Sequence, residues 1–195
     1  MDKLFSSSKT TSPVYTFTID NKGQTVNCRD VNQTILSIFS FHIQKSKPHL
    51  IISRVPPPGW NATPFVIATC TLHRSPSSKI DVSIRGREFQ LKRDLLKGDN
   101  HHFDYPPLGH FKWKPDAWGG SKLELYDSSR QLLAKYKEKT SLLKSSQQLE
   151  VFVRGDEMLL DMILVTALVM RHYMQVENKQ IDTVMDVLGN LSGST

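Results

Sequence analysis

The feature that most constrains the fold of this chain is an apolar segment near its carboxyl end, Met158–Met170. Eleven of its thirteen residues are apolar, and the two exceptions are Asp161 and Thr166. In an α-helix successive residues are about 100° apart, so these apolar positions cover every face. A helix without a polar face must be surrounded by protein or by lipid.

Flanking residues support a helix over 156–174. Asp156 can cap its first turn and Glu157 adds negative charge there, while Arg171 and His172 lie near its far end, as the helix dipole favours. A bilayer span needs about 20 apolar residues, and this run is shorter and contains Asp161. Burying eleven such side chains contributes roughly 15–30 kcal/mol before entropy is subtracted. The preceding part of the chain is therefore expected to surround this helix.

Ten short runs of β type precede the helix, and turn-forming residues separate them. In Ile80–Arg85, for example, Ile and Val alternate with polar residues. The predicted class is mainly β with one central helix: an antiparallel β-barrel wrapped around a buried, apolar C-terminal helix. The ten predicted strands are Val14–Ile19, Gln33–His42, His49–Arg54, Pro64–His73, Lys79–Arg85, Arg87–Leu91, His110–Lys114, Lys122–Tyr126, Gln131–Tyr136 and Gln148–Val153.

The domain organisation follows from these elements. Residues 1–13 are rich in Ser, Thr and Lys and are predicted to form a flexible tail. Residues 14–176 form the barrel and its central helix, and residues 177–195 are a C-terminal extension compatible with a short helix.

Several stretches resemble a fungal family of uncharacterised tubby C-terminal-like domains, a fold shared by phospholipid scramblases and plant LURP-one-related proteins. This resemblance implies a barrel plugged by its last helix, and tubby proteins bind phosphoinositides. It covers about residues 109–174 and carries no catalytic residues. The matching stretches are Phe111-Lys112-Trp113-Lys114, Lys122-Leu123-Glu124-Leu125-Tyr126-Asp127, Leu133-Ala134-Lys135-Tyr136, Leu149-Glu150-Val151 and Asp161-Met162-Ile163-Leu164-Val165-Thr166-Ala167-Leu168.

Charge and cysteine content bear on partners and compartment. The formal net charge is +6, which is compatible with anionic partners and also with a plain role in solubility. No apolar run of signal-peptide length occurs in 1–18, so Cys28 and Cys70 are expected to be free thiols that serve in packing. We expect a cytoplasmic monomer without a transmembrane span; a peripheral membrane or nuclear location is compatible with the same features.

A basic hairpin is the strongest candidate for a binding site. Guanidinium and ammonium groups bind phosphate, so this hairpin is a candidate site for an anionic phospholipid or phosphoinositide headgroup. The alternative is a solvated strand whose charges prevent aggregation. The candidate residues are Lys79, Arg85, Arg87, Lys92 and Arg93.

Other polar and aromatic residues are weaker candidates for functional sites. His101, His102 and Asp104, in a predicted loop with His110 nearby, could ligate a metal, but their spacing matches no standard zinc site. Asp161 could handle protons in a cavity, or could simply be hydrated or hydrogen-bonded near the barrel mouth. Trp60 and Trp118 could contact a membrane or a protein partner, or could pack beneath their loops.

No nucleotide-binding or hydrolase motif occurs in the chain, so we predict a non-enzymatic module without a cofactor or metal. The leading hypothesis is binding of anionic phospholipid, and the second is a protein-interaction module. A carrier or hydrolase with a ligand cavity is a weaker third hypothesis, because the helix should fill the barrel. Nucleic-acid binding is not expected, since the chain has no basic helix or aromatic platform.

Overall fold

Twelve antiparallel strands form one closed barrel, and a single long helix follows them in the chain. The computed structural model describes residues 12–29, 34–57, 59–60, 62–73, 79–94, 100–115, 122–140 and 145–192. The strands are β1 (Tyr15–Asp20), β2 (Thr25–Arg29), β3 (Ile35–Ile43), β4 (Leu50–Arg54), β5 (Phe65–Leu72), β6 (Lys79–Ile84), β7 (Arg87–Arg93), β8 (His101–Tyr105), β9 (Gly109–Pro115), β10 (Lys122–Asp127), β11 (Leu132–Thr140) and β12 (Ser145–Val151), and the helix α1 is Glu157–Ser192.

The barrel has the simplest possible order, in which each strand pairs with the next one in the chain. Closure comes from pairing of β1 with β12, where Tyr15 lies opposite Val151. Closure gives every described strand a neighbour on both sides, which protects against edge-to-edge aggregation, although β7 and β8 pair at only two positions, Lys92 with His102 and Arg93 with His101.

Alternating side chains build the core. On β6, Ile80, Val82 and Ile84 are buried, whereas Asp81 and Ser83 point outward. β-branched and aromatic residues favour such a half-buried, pleated surface. The inward residues of all twelve strands join the apolar residues of α1 in one hydrophobic core.

The helix fills the barrel. The Asp156 carboxylate accepts a hydrogen bond from the backbone N–H of Leu159 (2.9 Å), which caps the first turn. All thirteen residues from Asp161 to Tyr173 are buried, so no face of this part meets water. Inside it, the Thr166 hydroxyl donates to the Met162 carbonyl one turn earlier (2.8 Å). The predicted fold class is confirmed.

The helix does not end at 174 as predicted, but continues to Ser192. Burial ends at Tyr173, close to the predicted limit, because the barrel covers the helix only that far. Glu157–Asn178 has the length and composition of a membrane span, but 72% of its apolar window is buried by the protein itself.

Two strands were missing from the prediction. β2 has few large apolar residues, and Val26 is its one fully buried member. His101–Tyr105 is strand β8 and not a loop: His101, Phe103 and Tyr105 face the core in strict alternation. The polar character of His101, His102 and Asp104 obscured that pattern.

The helix begins at one end of the barrel and leaves through the other, so the two ends differ. At the upper end the helix begins, and the β4–β5, β6–β7, β8–β9 and β10–β11 connections lie there. At the lower end the helix leaves the barrel, beside the β1–β2 turn and the β3–β4 connection.

Candidate functional site

The predicted basic hairpin places its five residues at both ends of the barrel. Arg85 and Arg87 flank the tight turn at the upper end, where Ile84 lies opposite Arg87. Lys79, Lys92 and Arg93 lie at the lower end, where Lys79 is directly opposite Lys92. Five residue steps along a strand span about 17 Å. The hairpin therefore forms two separate groups of positive charge.

Arg85 belongs to an ion-pair network at the upper end. It occupies a left-handed turn conformation (φ 49°), and its side chain reaches over the rim. Its Nε and Nη2 donate to Asp161 Oδ2 at 2.9 and 2.6 Å, and Nη2 also contacts Glu157 at 3.0 Å. Strand alternation alone would place this side chain on the outer face, opposite to Ile80, Val82 and Ile84. The turn conformation explains the difference.

Arg54 completes this network from the other side of the helix start. Its Nη1 lies 2.7 Å from Asp161 Oδ1 and 2.8 Å from Glu157 Oε1. Asp161 is only 1% exposed, so burial raises the pKa of its carboxyl, and the attraction of Arg54 and Arg85 opposes that rise. The network fastens the first turns of α1 to β4 and to the β6–β7 turn. Sequence reasoning did not identify Arg54 or Glu157 as parts of this site.

Arg87 and Arg93 lie at the two ends of β7, and each guanidinium group reaches a partner in the protein. Arg87 Nη1 donates to the Pro106 carbonyl at 2.6 Å. Arg93 Nη1 pairs with Glu177 of the helix at 2.9 Å. Both guanidinium groups therefore have internal acceptors.

Lys79 and Lys92 have a different environment. Both are exposed on the outer wall near the lower end, and neither forms an ion pair with a described residue. The register continues this row across the wall, because Lys92 lies opposite His102 and His102 lies opposite Lys112. Lys79, Lys92, His102 and Lys112 are named the basic row. Adjacent strands are about 4.8 Å apart, so the row is roughly 14 Å long.

More lysines lie around the same end. The β1–β2 turn contributes Lys22, the β3–β4 connection contributes Lys45 and Lys47, and β10 begins at Lys122; all four side chains are exposed. In contrast, the β4–β5, β6–β7, β8–β9 and β10–β11 connections at the upper end contain no lysine. Positive charge is thus carried mainly by arginine at the upper end and by lysine at the lower end.

One arginine is buried deep at the lower end. Arg171 is 4% exposed, its Nε donates to Gln147 Oε1 at 2.6 Å, and its Nη2 donates to Asn21 Oδ1. Its guanidinium also lies over the Phe41 ring. Burial lowers the pKa of this guanidinium. These hydrogen-bond partners are neutral, unlike those of Arg54 and Arg85, although the nearby Glu138 carboxylate also attracts the guanidinium.

The histidines of β8 and β9 are divided between the two faces of the wall. His101 is buried and packs against the Tyr173 ring, with centroids 4.8 Å apart. His102 points outward toward His110, whose Nδ1 lies 2.9 Å from Asp104 Oδ1. Within the described residues, no three His, Cys, Asp or Glu side chains are grouped closely enough to hold a metal ion.

The cysteines and one outer groove offer no further site for a headgroup phosphate. Cys28 and Cys70 do not form a disulfide, and burial together with Asp81 raises the pKa of Cys70 to about 12, so its thiol stays protonated. A groove of about 400 Å³ lies on β5–β7, with Asp81 and Glu88 in its lining. Two carboxylates suit a phosphate poorly, so this groove does not support the predicted headgroup site.

Trp60 lies in the β4–β5 connection at the upper end and is 70% exposed. Packing beneath its loop, one of the two alternatives, is therefore wrong for Trp60. Trp118 lies outside the described residues.

These features define a class: a closed antiparallel barrel filled by its own C-terminal helix, with chemically different ends. The chain belongs to the family of unknown function DUF6593, whose model matches residues 3–175. This match confirms the predicted membership of an uncharacterised family, and it ends close to the last buried residue of the helix. The chain matches no curated protein and no solved structure.

Proposed function

We propose that this protein is a non-enzymatic, cytoplasmic module that binds anionic phospholipid headgroups through its basic row, Lys79, Lys92, His102 and Lys112. One observation carries the proposal: the register places two exposed lysines, Lys79 and Lys92, directly opposite each other. Like charges in that position destabilise a sheet, so folding alone gives no reason for the pair. An anionic ligand would turn this repulsion into attraction.

The position of the row suits a membrane surface. It lies on the outer wall of the barrel and not across its lower opening. The continuation of α1 beyond Tyr173 leaves through that opening, so it does not stand between the row and a bilayer. The exposed Lys22, Lys45, Lys47 and Lys122 around the same end add to the attraction.

The predicted site also included Arg85, Arg87 and Arg93. We do not propose that these three arginines contact the headgroup. Each already has an internal acceptor, so their primary role is to fasten the helix and the hairpin. The proposed headgroup contacts therefore shift to Lys79 and Lys92, with His102 and Lys112 added. The Lys112 Nζ lies 3.8 Å from Asp94 Oδ2, a long contact that a headgroup phosphate would have to compete with.

The proposed kinship with tubby C-terminal-like proteins rests on architecture. A twelve-stranded antiparallel barrel with the last helix at its centre is the organisation expected from the resemblance. An experimental structure that superposes strand by strand on a tubby domain would support this kinship, and a different strand order would exclude it.

Vesicle flotation tests the headgroup proposal. Vesicles of phosphatidylcholine alone are compared with vesicles that also contain phosphatidylserine or a phosphoinositide, at about 0.05 and 0.5 M NaCl. Each lysine near an anionic surface contributes about 1 kcal/mol, so Lys79→Gln/Lys92→Gln should weaken binding about 30-fold. High salt should weaken binding of the unmodified protein.

A matched control removes the same charge from the upper end. Arg130 and Arg154 are exposed there, and Arg130 has φ 66°, a conformation that Asn tolerates. Arg130→Asn/Arg154→Gln should bind almost as well as the unmodified protein. Equal weakening by both double variants would refute the basic row as the site, and no binding at low salt would end the proposal.

A further inference from the structure

The polar groove on the outer wall of β5–β7 adjoins the basic row on the side of the upper end. Its volume is about 400 Å³, which is within the range of small-ligand sites. Three hydroxyl groups, one amide and two carboxylates line it, and this surface is named the outer groove. The register sets these six side chains in two lines across the strands, Thr69, Ser83 and Glu88 in one and Thr71, Asp81 and Gln90 in the other.

Asp81 is the groove carboxylate nearest to the basic row. It follows Lys79 by two residues on β6, which is about 7 Å along the strand. It is also a diagonal neighbour of Lys92 and of Glu88 on β7, each about 7–8 Å away. Two ammonium groups and then two carboxylates therefore follow each other along one wall.

The Asp81 carboxylate is charged and fixed in position. His73 Nε2 lies 2.5 Å from Asp81 Oδ2, and the Gln90 amide donates to Oδ1 at 2.8 Å. Burial acts to raise the pKa of Asp81, but these hydrogen bonds outweigh it and lower that pKa. His73 offsets the negative charge only when it is protonated, and Gln90 is neutral. The side chain is 45% exposed, and each oxygen can accept a second hydrogen bond.

Glu88 supplies the second carboxylate of the groove. It is exposed on β7 and forms no ion pair with any residue that the structure describes. Lys79 and Lys92 likewise pair with none of the described carboxylates. A ligand that carries both charges, in the same order and at a similar spacing, would satisfy all three side chains.

We propose that the basic row and the outer groove together bind a phospholipid headgroup that carries a primary ammonium group close to its phosphate. The phosphate would contact Lys79 and Lys92, and the ammonium group would donate to Asp81 and Glu88. Phosphatidylserine is an anionic lipid with this arrangement, because a short carbon link joins its two groups. This inference rests on the headgroup proposal and names the class of headgroup.

Two other anionic lipids fit this wall less well. The inositol ring of a phosphoinositide carries further phosphates, and these would lie beside Asp81 and Glu88, where like charges repel each other. Phosphatidylglycerol has the same net charge as phosphatidylserine, but it has no ammonium group for the two carboxylates. At equal surface charge, phosphatidylserine should therefore bind more tightly than either of these lipids.

Flotation with vesicles of equal surface charge tests this selectivity. Phosphatidylcholine vesicles contain phosphatidylserine, phosphatidylglycerol or a phosphoinositide, and binding is measured at about 0.05 M NaCl. We expect phosphatidylserine vesicles to bind about tenfold more tightly than phosphatidylglycerol vesicles, which is the effect of one charge-assisted hydrogen bond. Asp81→Asn/Glu88→Gln should remove this preference. It should not weaken binding to phosphatidylglycerol, because it takes negative charge away from the site.

Asp104→Asn is the matched control for the loss of a carboxylate. Asp104 is 78% exposed on the outer wall, lies opposite His110 and is outside the groove. This variant should keep the full preference for phosphatidylserine. Glu88→Gln alone should lower the preference while the hydrogen bonds of Asp81 stay intact, so a folding defect at Asp81 cannot produce the result.

A preference for phosphatidylserine that Asp81→Asn/Glu88→Gln removes and Asp104→Asn keeps supports the inference. Equal binding to phosphatidylglycerol, tighter binding to the phosphoinositide, or a preference that survives the double variant overturns it. In those cases the headgroup proposal still stands if Lys79→Gln/Lys92→Gln weakens binding. Absence of binding to all three kinds of vesicle overturns both proposals.

Discussion

The two ends of the barrel carry positive charge in different ways. At the upper end, Arg54 and Arg85 share the carboxylates of Asp161 and Glu157. At the lower end, Lys79 and Lys92 face each other in solvent. Arginine has a rigid planar fork that suits fixed, partly buried pairs, whereas lysine remains strongly hydrated. The comparison shows that net charge alone does not locate a binding surface; the partners of each cation must also be known.

The largest effect is expected from removing the buried carboxylate of the upper end. Asp161→Ala leaves Arg54 and Arg85, which are 31% and 42% exposed, with Glu157 as their shared carboxylate. It should lower the free energy of unfolding by about 2–4 kcal/mol, somewhat less than the loss of a fully buried pair, because solvent screens the two arginines in part. Urea denaturation followed by circular dichroism measures this change. Glu157→Gln is the control, since Glu157 is 55% exposed and solvent screens its pairs; its effect should stay below about 1 kcal/mol.

A loss below about 1 kcal/mol for Asp161→Ala would contradict this assignment. The ion pairs of Asp161 would then contribute as little to stability as exposed pairs do. The two ends of the barrel would differ only in how exposed their cations are.

A smaller loss is expected for the buried arginine of the lower end. Arg171→Met removes a guanidinium whose direct partners, Gln147 and Asn21, are neutral, and it leaves their oxygens without this donor. The expected loss is about 1–3 kcal/mol in the same denaturation measurement. A loss as large as that of Asp161→Ala would show that the lower end also depends on strong electrostatic pairing.

The smallest effect on stability is expected from protonation of Asp81, which lies near the lower end of the barrel. Burial acts to raise the pKa of Asp81, but hydrogen bonds from His73 and Gln90 outweigh it and lower that pKa below its ordinary value. The unfolded chain therefore binds a proton more readily than the folded one, so this contribution is present above about pH 4 and is lost as pH falls through the folded pKa. Asp81 is 45% exposed, so the contribution should be below about 1 kcal/mol.

Denaturation at pH 7 and at about pH 3 measures this contribution when the protein is compared with Asp81→Asn. The difference between the two proteins should shrink at the lower pH. A difference that grows on acidification would contradict the lowered pKa.

Sequence reasoning predicted the helix and the barrel because their signals are local. Eleven apolar residues without a polar face require complete burial, and alternation identifies most strands. β8 was missed because histidines and an aspartate occupy its alternating pattern. β2 was missed because it is short and buries little.

The ion-pair network could not be predicted from the sequence. Asp161 meets Arg54 and Arg85 from positions 107 and 76 residues away, and no local pattern encodes those distances. The basic hairpin was predicted to form one cluster, and that prediction was wrong for the opposite reason. Its residues are close in the sequence, but strand geometry separates Arg85 from Lys92.

Chain order gives the closed barrel a consequence for biosynthesis. On the ribosome, β1 emerges early, but its partner β12 and the helix that fills the interior are made last. Nascent strands must wait with Phe17, Phe39 and Ile80 uncovered until β12 and α1 have left the exit tunnel. The barrel cannot close before that point, so the chain should depend on chaperones while these strands are exposed.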